Sequence, residues 1–205
     1  MKQRVALVLM GAWLMGTICV SVVATENFYT IDRLLAESRN AAFTSAAQKL
    51  GQPLGRDLLR YLSSELNRLY FQLWNVAQLV LGGLVLWLIA GPAEQDPSDE
   101  RGMQGAQSRQ RKGFSAAFAA FAFERPVRGV IVMLAIVVTM LVWLTPAIVS
   151  LGRLLDFVPR DPAPPGMQRF WILHAAYTSL EMLKLLIGIV VAFWIARGQS
   201  RLANG

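Results

Sequence analysis

Four polar side chains recur at helical spacing inside the apolar stretch near the end of the sequence. In order, they are His174, Tyr177, Glu181 and Lys184. Steps of three, four and three residues place them on one face of an α-helix. Glu181 and Lys184 are i, i+3 neighbours and can form an ion pair. A carboxylate and an amine held together in this way could accept, hold and release a proton.

Two amides in an earlier apolar run are candidates to face this group. Asn75 and Gln78 lie on adjacent turns of that run, and polar residues inside apolar helices usually face other helices. We therefore predict an interior polar pocket that opens toward the outer face and is closed below. Two roles stay open: the polar groups cement the helices together, or Glu181 accepts a proton next to Lys184 and forms part of an ion pathway.

Metal binding is a weaker hypothesis for the same region. The chain has one histidine, which excludes axial bis-histidine haem binding within one chain. Cys19 and His174 are the weak metal candidates, and the soft donors that would suit copper(I) are Cys19, Met15, Met140 and Met182. Methionine in apolar runs usually packs the core. We therefore expect no cofactor.

The polar face needs a membrane-spanning scaffold to position it. The 205 residues are 55% hydrophobic and 16% charged, whereas soluble domains are nearer a quarter charged. Four runs approach or exceed the roughly 20 apolar residues that cross a bilayer; they are residues 5–24, 69–90, 129–151 and 170–196. The sequence thus predicts an all-α integral membrane four-helix bundle, with residues 1–205 forming a single membrane domain.

The first run has two interpretations. Lys2 and Arg4, the apolar core and the segment ending at Ala24 are also typical of a cleavable secretory signal. The apolar run is long for a signal, and Val22 stands where a small side chain is expected. A retained helix is therefore the favoured interpretation.

The connection between the first two runs predicts helices that continue beyond the bilayer. Apolar residues at helical spacing mark one amphipathic helix in residues 28–50 and another that runs from 56 to 90, and residues 51–55 contain the glycine and proline that separate them. We expect residues 28–68 to form an extra-membrane helical hairpin on the non-cytoplasmic side. The alternative is an amphipathic helix lying on the headgroups.

The other connections differ in character. Residues 91–113 are rich in glycine, proline and charge, which predicts a flexible cytoplasmic loop. Residues 114–123 favour a short interfacial helix. Residues 161–165, with three prolines, predict a stiff and extended connection.

Basic residues near the ends of the runs indicate orientation. The net charge of +7 does not indicate nucleic acid, because lysine and arginine flank the apolar runs and suit anionic lipid headgroups. We expect a multi-pass protein of a bacterial inner membrane, with the N-terminus and C-terminus both cytoplasmic. The basic residues placed inside are Lys2, Arg4, Arg109, Arg111, Lys112, Arg125, Arg128, Arg197 and Arg201.

The motifs that would indicate an enzyme are missing from the sequence. It contains no phosphate-binding loop, nucleophile elbow, zinc-protease helix or dinucleotide fingerprint, so we expect no enzymatic activity. The first functional hypothesis is binding or assembly, for instance as an accessory subunit, with the lipid bilayer and a homo-oligomer or larger membrane complex as partners. The alternative is proton- or ion-coupled transport, including transport of a metal, through the Glu181–Lys184 centre.

Three short motifs carry a family resemblance. They are Arg169-Phe-Trp-Ile-Leu-His174, the preceding Thr145-Pro-Ala-Ile148, and Trp13-Leu-Met-Gly16. On these, the chain resembles a bacterial four-span membrane protein family of unknown function, related to the eukaryotic transmembrane protein associated with cisplatin resistance. The resemblance implies an integral membrane protein of undetermined biochemistry with a retained first helix. Glu181 and Lys184 depart from it, because neutral residues are expected there.

Overall fold

All regular secondary structure is helical over the residues that the computed structural model describes, 1–90 and 125–203. We label these helices α1 (Lys2–Glu37), α2 (Ala41–Leu50), α3 (Gln52–Ala90), α4 (Arg125–Leu154) and α5 (Met167–Ala203). Four of them, α1, α3, α4 and α5, are long and apolar enough to cross a membrane by length and composition. They contain the four predicted apolar runs and suggest a multi-pass membrane protein.

The four long helices run up and down as an antiparallel bundle. Along α1 and α3, Trp13 bonds to Gln78 and Ala24 bonds to Asn67, so the residue number rises on one helix as it falls on the other. The same antiparallel order relates α1 to α5 and α4 to both α3 and α5. The core between them is apolar, and its fully buried members include Met10, Val85, Val130, Met133, Val137 and Val191.

Two glycines allow tryptophan rings to lie between the helices. A Cβ atom on Gly16 would fall 2.1 Å from Cη2 of Trp74, and one on Gly82 would fall 2.5 Å from Cδ2 of Leu134 and 2.8 Å from Cη2 of Trp13. Only glycine leaves room for rings so close to the helix backbone. The adjacent Gly83 has open space where its Cβ would be.

The helical hairpin differs in its breaks from the one predicted. One amphipathic helix was expected within residues 28–50, but α1 continues from its apolar run to Glu37, and α2 begins separately at Ala41. The Asn40 side chain caps α2 by accepting hydrogen bonds from two backbone N–H groups of its first turn. The second break lies at Gly51 alone, whose φ of 79° suits glycine, and α3 starts at the next residue.

Polar contacts hold the two long arms of the hairpin together. Asn67 Nδ2 donates to the Ala24 carbonyl at 2.9 Å, and Asn27 Nδ2 donates to Asn67 Oδ1 at 2.7 Å. Further from the bundle, Arg56 and Asp32 form an exposed ion pair at 2.7 Å. The arms are therefore a paired continuation of α1 and α3.

A charge network joins the base of the hairpin to the end of α4. Arg68 bonds to Glu65 on its own helix and, at 2.9 Å, to Asp156 just after α4; Arg153 approaches Glu65 at 3.5 Å. Partial burial raises the pKa of Glu65, but the hydrogen bonds and charges of Arg68 and Arg153 outweigh it and hold that pKa below its ordinary value. This network marks the level at which α4 ends, beyond which α1 and α3 continue.

Helix α4 contains an irregular segment next to the predicted kink. Met140–Leu144 is a π-helix, in which the Thr145 backbone N–H bonds to the Met140 carbonyl five residues earlier. Pro146 explains the change, because it has no N–H and its ring displaces the carbonyl four residues before it. The irregular turn brings Thr145 into the interior.

The two remaining connections fall partly outside this description. The chain between α4 and α5 has no helix through residues 158–165, as the prolines predicted. The predicted loop at 91–113 and the predicted interfacial helix at 114–123 lie outside the described residues.

Candidate polar site inside the bundle

Three of the four polar residues predicted on α5 lie in the bundle interior. Tyr177, Glu181 and Lys184 are 6%, 8% and 1% exposed. The other side of the helix is apolar and exposed at Met182, Leu183, Leu186 and Ile189. Helix α5 is therefore amphipathic, with its polar side facing the bundle interior and its apolar side facing outward.

The two charged residues form an ion pair. Lys184 Nζ lies 2.7 Å from Glu181 Oε2, across one helical turn. In the part of the chain described, no other side chain bonds to this pair, and the second carboxylate oxygen and the Tyr177 hydroxyl have no hydrogen-bond partner. A buried ion pair needs such hydrogen bonds to offset the loss of hydration. Burying this ion pair therefore has a free-energy cost that hydrogen bonds from the described residues do not offset.

A second polar group, made of neutral side chains, crosses the bundle from α1 to α4. Trp13 Nε1 donates to Gln78 Oε1 at 2.9 Å, Gln78 Nε2 donates to Asn75 Oδ1 at 3.4 Å, and Asn75 Nδ2 donates to Thr145 Oγ1 at 3.2 Å. Both amides are fully buried. The chain of bonds satisfies one polar group after another and links three helices.

Tyr177 connects the two groups. Its ring packs against Met140 and Leu144 of the π-helical segment and meets the Phe71 ring edge-on, with centroids 5.3 Å apart. Its hydroxyl lies near the Asn75 amide without the geometry of a hydrogen bond. The structure thus brings together five of the six predicted site residues: Asn75, Gln78, Tyr177, Glu181 and Lys184.

The interior site is closed to solvent. The Tyr177 hydroxyl, both Glu181 oxygens and Lys184 Nζ are all inaccessible. The prediction of a pocket open toward the outer face is therefore wrong for this conformation. Large side chains, including the Phe71 ring beside Tyr177, fill the space that polarity alone suggested would be open.

His174 does not join the interior site. Its side chain is exposed, and its ring stacks on Phe170 and meets Trp171 edge-on, at centroid distances of 6.0 and 6.1 Å. The placement of His174 on the inward face was therefore wrong. Helical periodicity predicts the side of α5 from which His174 projects. At this end of the bundle, the neighbouring helices of the described chain do not cover that side.

The two weak metal candidates are separated along the bundle. Leu14 packs at Gly188, so Cys19 lies near the level of residue 183, roughly 13 Å along the axis from His174. Both residues are exposed. Among residues 1–90 and 125–198, no group of three or more His, Cys, Asp or Glu side chains could hold a metal ion.

The sequence-based site omitted Trp13 and Thr145. Tryptophan in an apolar run is usually assigned to the membrane interface, yet the Trp13 indole is fully buried and bonded. The available signal was Gly82 on α3, because a glycine inside an apolar helix allows a large side chain of a neighbouring helix to approach closely. Trp74 repeats the arrangement, donating to Thr17 Oγ1 at 3.3 Å beside Gly16.

Comparison with protein-family models, characterised proteins and solved structures finds no match for this chain. The resemblance to the four-span family therefore stays a prediction. What the site can do must be argued from its own chemistry. It holds one buried acid, one buried amine and one phenol next to a bonded chain of amides, a set that can stabilise helix packing or hold a proton.

Proposed function

We propose that the protein is a multi-pass protein of a bacterial inner membrane in which α1, α3, α4 and α5 each cross the bilayer once. The inward-facing ion pair supports this placement. Glu181 and Lys184 carry the only charges in the four apolar runs, and both are turned away from the surface that lipid would cover. Many large apolar side chains, Leu183 and Leu186 among them, are exposed at that surface, and extensive apolar surfaces of this kind mark contact with a membrane or another protein.

The proposed orientation has both termini in the cytoplasm. Lys2, Arg125, Arg128 and Arg197 lie at one end of the bundle, where the positive-inside rule favours them. The opposite end then carries the helical hairpin, residues 28–68, on the non-cytoplasmic side. Two of its acidic residues, Asp32 and Glu65, are paired with arginines.

We further propose that the protein acts by binding and assembly, as an accessory subunit whose hairpin makes the contact. The observation that carries this is a row of exposed leucines on α3. Leu54, Leu58 and Leu62 recur one turn apart and are 54%, 48% and 55% exposed. They lie beyond the level of Arg68 and Asp156, where α4 has ended. Large apolar side chains clustered at a hydrated surface typically mark an interaction site.

The occupant that fits this leucine row is a second copy of the chain. The row continues along the same face of α3 into the proposed bilayer through Leu69, Leu73, Val76 and Val80, all exposed. A partner that covers the whole row would supply a helix that crosses the membrane and protrudes to the same height. Helix α3 itself meets this requirement, and a two-fold axis along the membrane normal would pack the row against its own copy.

Cysteine cross-linking tests this assembly. Cys19→Ser removes the single native thiol, and Leu54→Cys, Leu58→Cys and Leu62→Cys are then introduced one at a time. In native membranes with a mild oxidant we expect a covalent dimer from these positions. Ala36→Cys, which is exposed on α1 away from the row, serves as the control and should stay monomeric.

A charge placed in the row gives an independent readout. Leu62→Lys should convert the dimer to a monomer in mild detergent, whereas Leu34→Lys, at an exposed leucine of α1, should leave the mass unchanged. A monomeric wild-type protein, or cross-linking equal at Ala36 and Leu58, would contradict the proposed assembly. A hetero-complex of larger mass without a second copy would also contradict it.

The interior ion pair supports a second candidate function, proton- or ion-coupled transport. Protonation of Glu181 would leave the Lys184 ammonium buried without its counter-charge. A proton could therefore bind only together with a rearrangement or a co-bound anion. The Tyr177 hydroxyl, which has no hydrogen-bond partner among the described residues, and the π-helical turn beside it are the parts of the site that would rearrange, since π-helical turns occur often at functional sites.

Flux measurements in liposomes distinguish this candidate from simple assembly. If the Glu181–Lys184 centre carries protons, the reconstituted protein should move protons at a rate that depends on pH. Glu181→Gln should abolish that flux while leaving helicity and extraction unchanged, and Glu26→Gln, at an exposed carboxylate of α1 beyond its apolar run, should have no effect. Equal flux in the Glu181 variant would remove the ion pair from the mechanism.

A further inference from the structure

An apolar groove runs between α4 and α5 near the end of the bundle that carries Arg125 and Arg128. It has a volume of about 430 Å³, and exposed apolar side chains of both helices, Val132, Leu186 and Val190, line it. The two exposed arginines lie at its mouth. From Trp194 to Leu186 the groove follows α5 for about 12 Å at 1.5 Å per residue.

The close approach of the two helices shapes this groove. A Cβ atom on Gly129 would fall 2.3 Å from Cγ2 of Val191, so α4 and α5 nearly touch behind the groove. The residues on either side then form its walls. The surface that lines the groove is almost wholly apolar, although Arg125 and Arg128 are among the lining residues. The groove therefore offers a ligand two features, a positive charge at one end and an apolar channel that leads away from it.

We propose that this groove binds one anionic glycerophospholipid. Its phosphodiester would lie at Arg125 and Arg128, and one acyl chain would follow Val132, Val190 and Leu186. Guanidinium groups bind phosphate oxygens through paired hydrogen bonds, and basic residues near the membrane surface favour lipids of net negative charge. A zwitterionic lipid would bring its own ammonium close to the two arginines. This inference rests on the proposed placement of the helices in a bilayer.

Native mass spectrometry of the full chain in detergent tests the proposal. Phosphatidylglycerol and phosphatidylcholine with the same acyl chains are titrated separately, and retained lipid is counted. The wild-type protein should retain phosphatidylglycerol with roughly thirtyfold higher apparent affinity, as expected for two basic contacts near a membrane surface. Glycerol 3-phosphate, which supplies the headgroup phosphate without acyl chains, should not compete at equal concentration, because the groove contributes to binding.

Two variants separate the charge from the channel. Arg125→Gln with Arg128→Gln should reduce the preference for phosphatidylglycerol to near onefold. Val132→Trp keeps both charges but fills the groove, and it should lower retention of both lipids. Arg39→Gln with Lys49→Gln removes the same charge at exposed positions of the hairpin end and should keep the wild-type preference.

The outcomes that would overturn the proposal are distinct from those that concern membrane placement. Equal retention of the two lipids by the wild-type protein, an unchanged preference in the double arginine variant, or full competition by glycerol 3-phosphate would each refute a phospholipid site in this groove. Recovery of the protein from cells without detergent would instead refute the membrane placement and, with it, the basis of this inference.

Discussion

Lys184 Nζ lies 2.7 Å from Glu181 Oε2 inside the bundle, and these two residues hold the only charges in the four apolar runs. Neither group is compensated by hydrogen bonds from the described residues. Among the described residues, this pair is therefore the feature that helix packing explains least. Its cost and its coupling to the neighbouring amides lead to the following predictions.

Removing one partner of the ion pair should destabilise the protein more than removing both. Lys184→Met leaves a buried carboxylate without a cation and should lower the free energy of unfolding by about 3–5 kcal/mol. Adding Glu181→Gln to Lys184→Met should recover most of that loss. Denaturant unfolding in micelles, followed by circular dichroism, measures both variants. A double variant no more stable than Lys184→Met would show that the pair is not the source of the cost.

The two adjacent glycines of α3 should respond oppositely to the same change. Gly82→Ala places a methyl group 2.5 Å from Leu134 and against the Trp13 ring, so packing must shift at a cost of about 1–3 kcal/mol. Gly83→Ala meets open space and should be neutral or slightly stabilising, because alanine favours a helix. Thermal unfolding of both variants provides the comparison. Equal losses would contradict the ring-into-glycine packing.

The end of the amide chain should depend on the Thr145 hydroxyl. Thr145→Val removes the acceptor of Asn75 Nδ2 and leaves a buried donor unsatisfied, which costs about 1–3 kcal/mol. Thr139→Val is the matched control, because that exposed hydroxyl bonds to the Ala135 carbonyl of its own helix. The same unfolding assay applies to both. A loss at Thr139 as large as that at Thr145 would count against the bonded chain.

The charge network at the base of the hairpin should make stability depend on pH in the acid range. The folded-state pKa of Glu65 lies below its unfolded value, so its contribution is fully present above the unfolded pKa, about 4.3. It is lost as pH falls through the folded pKa. Glu65→Gln should flatten the stability profile below about pH 5, by less than about 1 kcal/mol because the carboxylate is partly exposed.

Glu37→Gln supplies the control for that profile. Glu37 is an exposed carboxylate at the end of α1, outside the network. Its substitution should leave the acid limb of the stability curve unchanged. If Glu65→Gln and the wild-type protein lose stability equally as the pH falls, the charge network does not contribute to the pH dependence of stability.

The four long helices could be predicted from sequence, because apolar runs of this length usually form helices that cross a membrane. The break at Ser38–Asn40 was missed, although Asn40 is a typical N-cap and signalled it. The continuation of α1 past its apolar run was predicted, but its end at Glu37 was not, since polar residues without glycine or proline do not show where a helix ends.

The sequence predicted most of the polar residues of the interior site, but it did not predict that the site is closed to solvent. Spacing correctly grouped Tyr177, Glu181 and Lys184, because each lies on one face of α5. Spacing could not tell that His174 is uncovered, since exposure depends on how neighbouring helices diverge. Nor could it reveal that Trp13 bonds to Gln78, a contact between residues far apart in sequence.

The most direct test of the membrane placement uses the native thiol. Cys19 is exposed on α1 within the proposed bilayer, where a membrane-impermeant maleimide finds neither water nor thiolate. In intact cells we expect no labelling of the wild-type protein, and rapid labelling of Ser45→Cys in a Cys19→Ser background, because α2 would lie on the non-cytoplasmic side. Rapid labelling of Cys19 in native membranes, or labelling of Ser45→Cys only after the cells are lysed, would contradict the account.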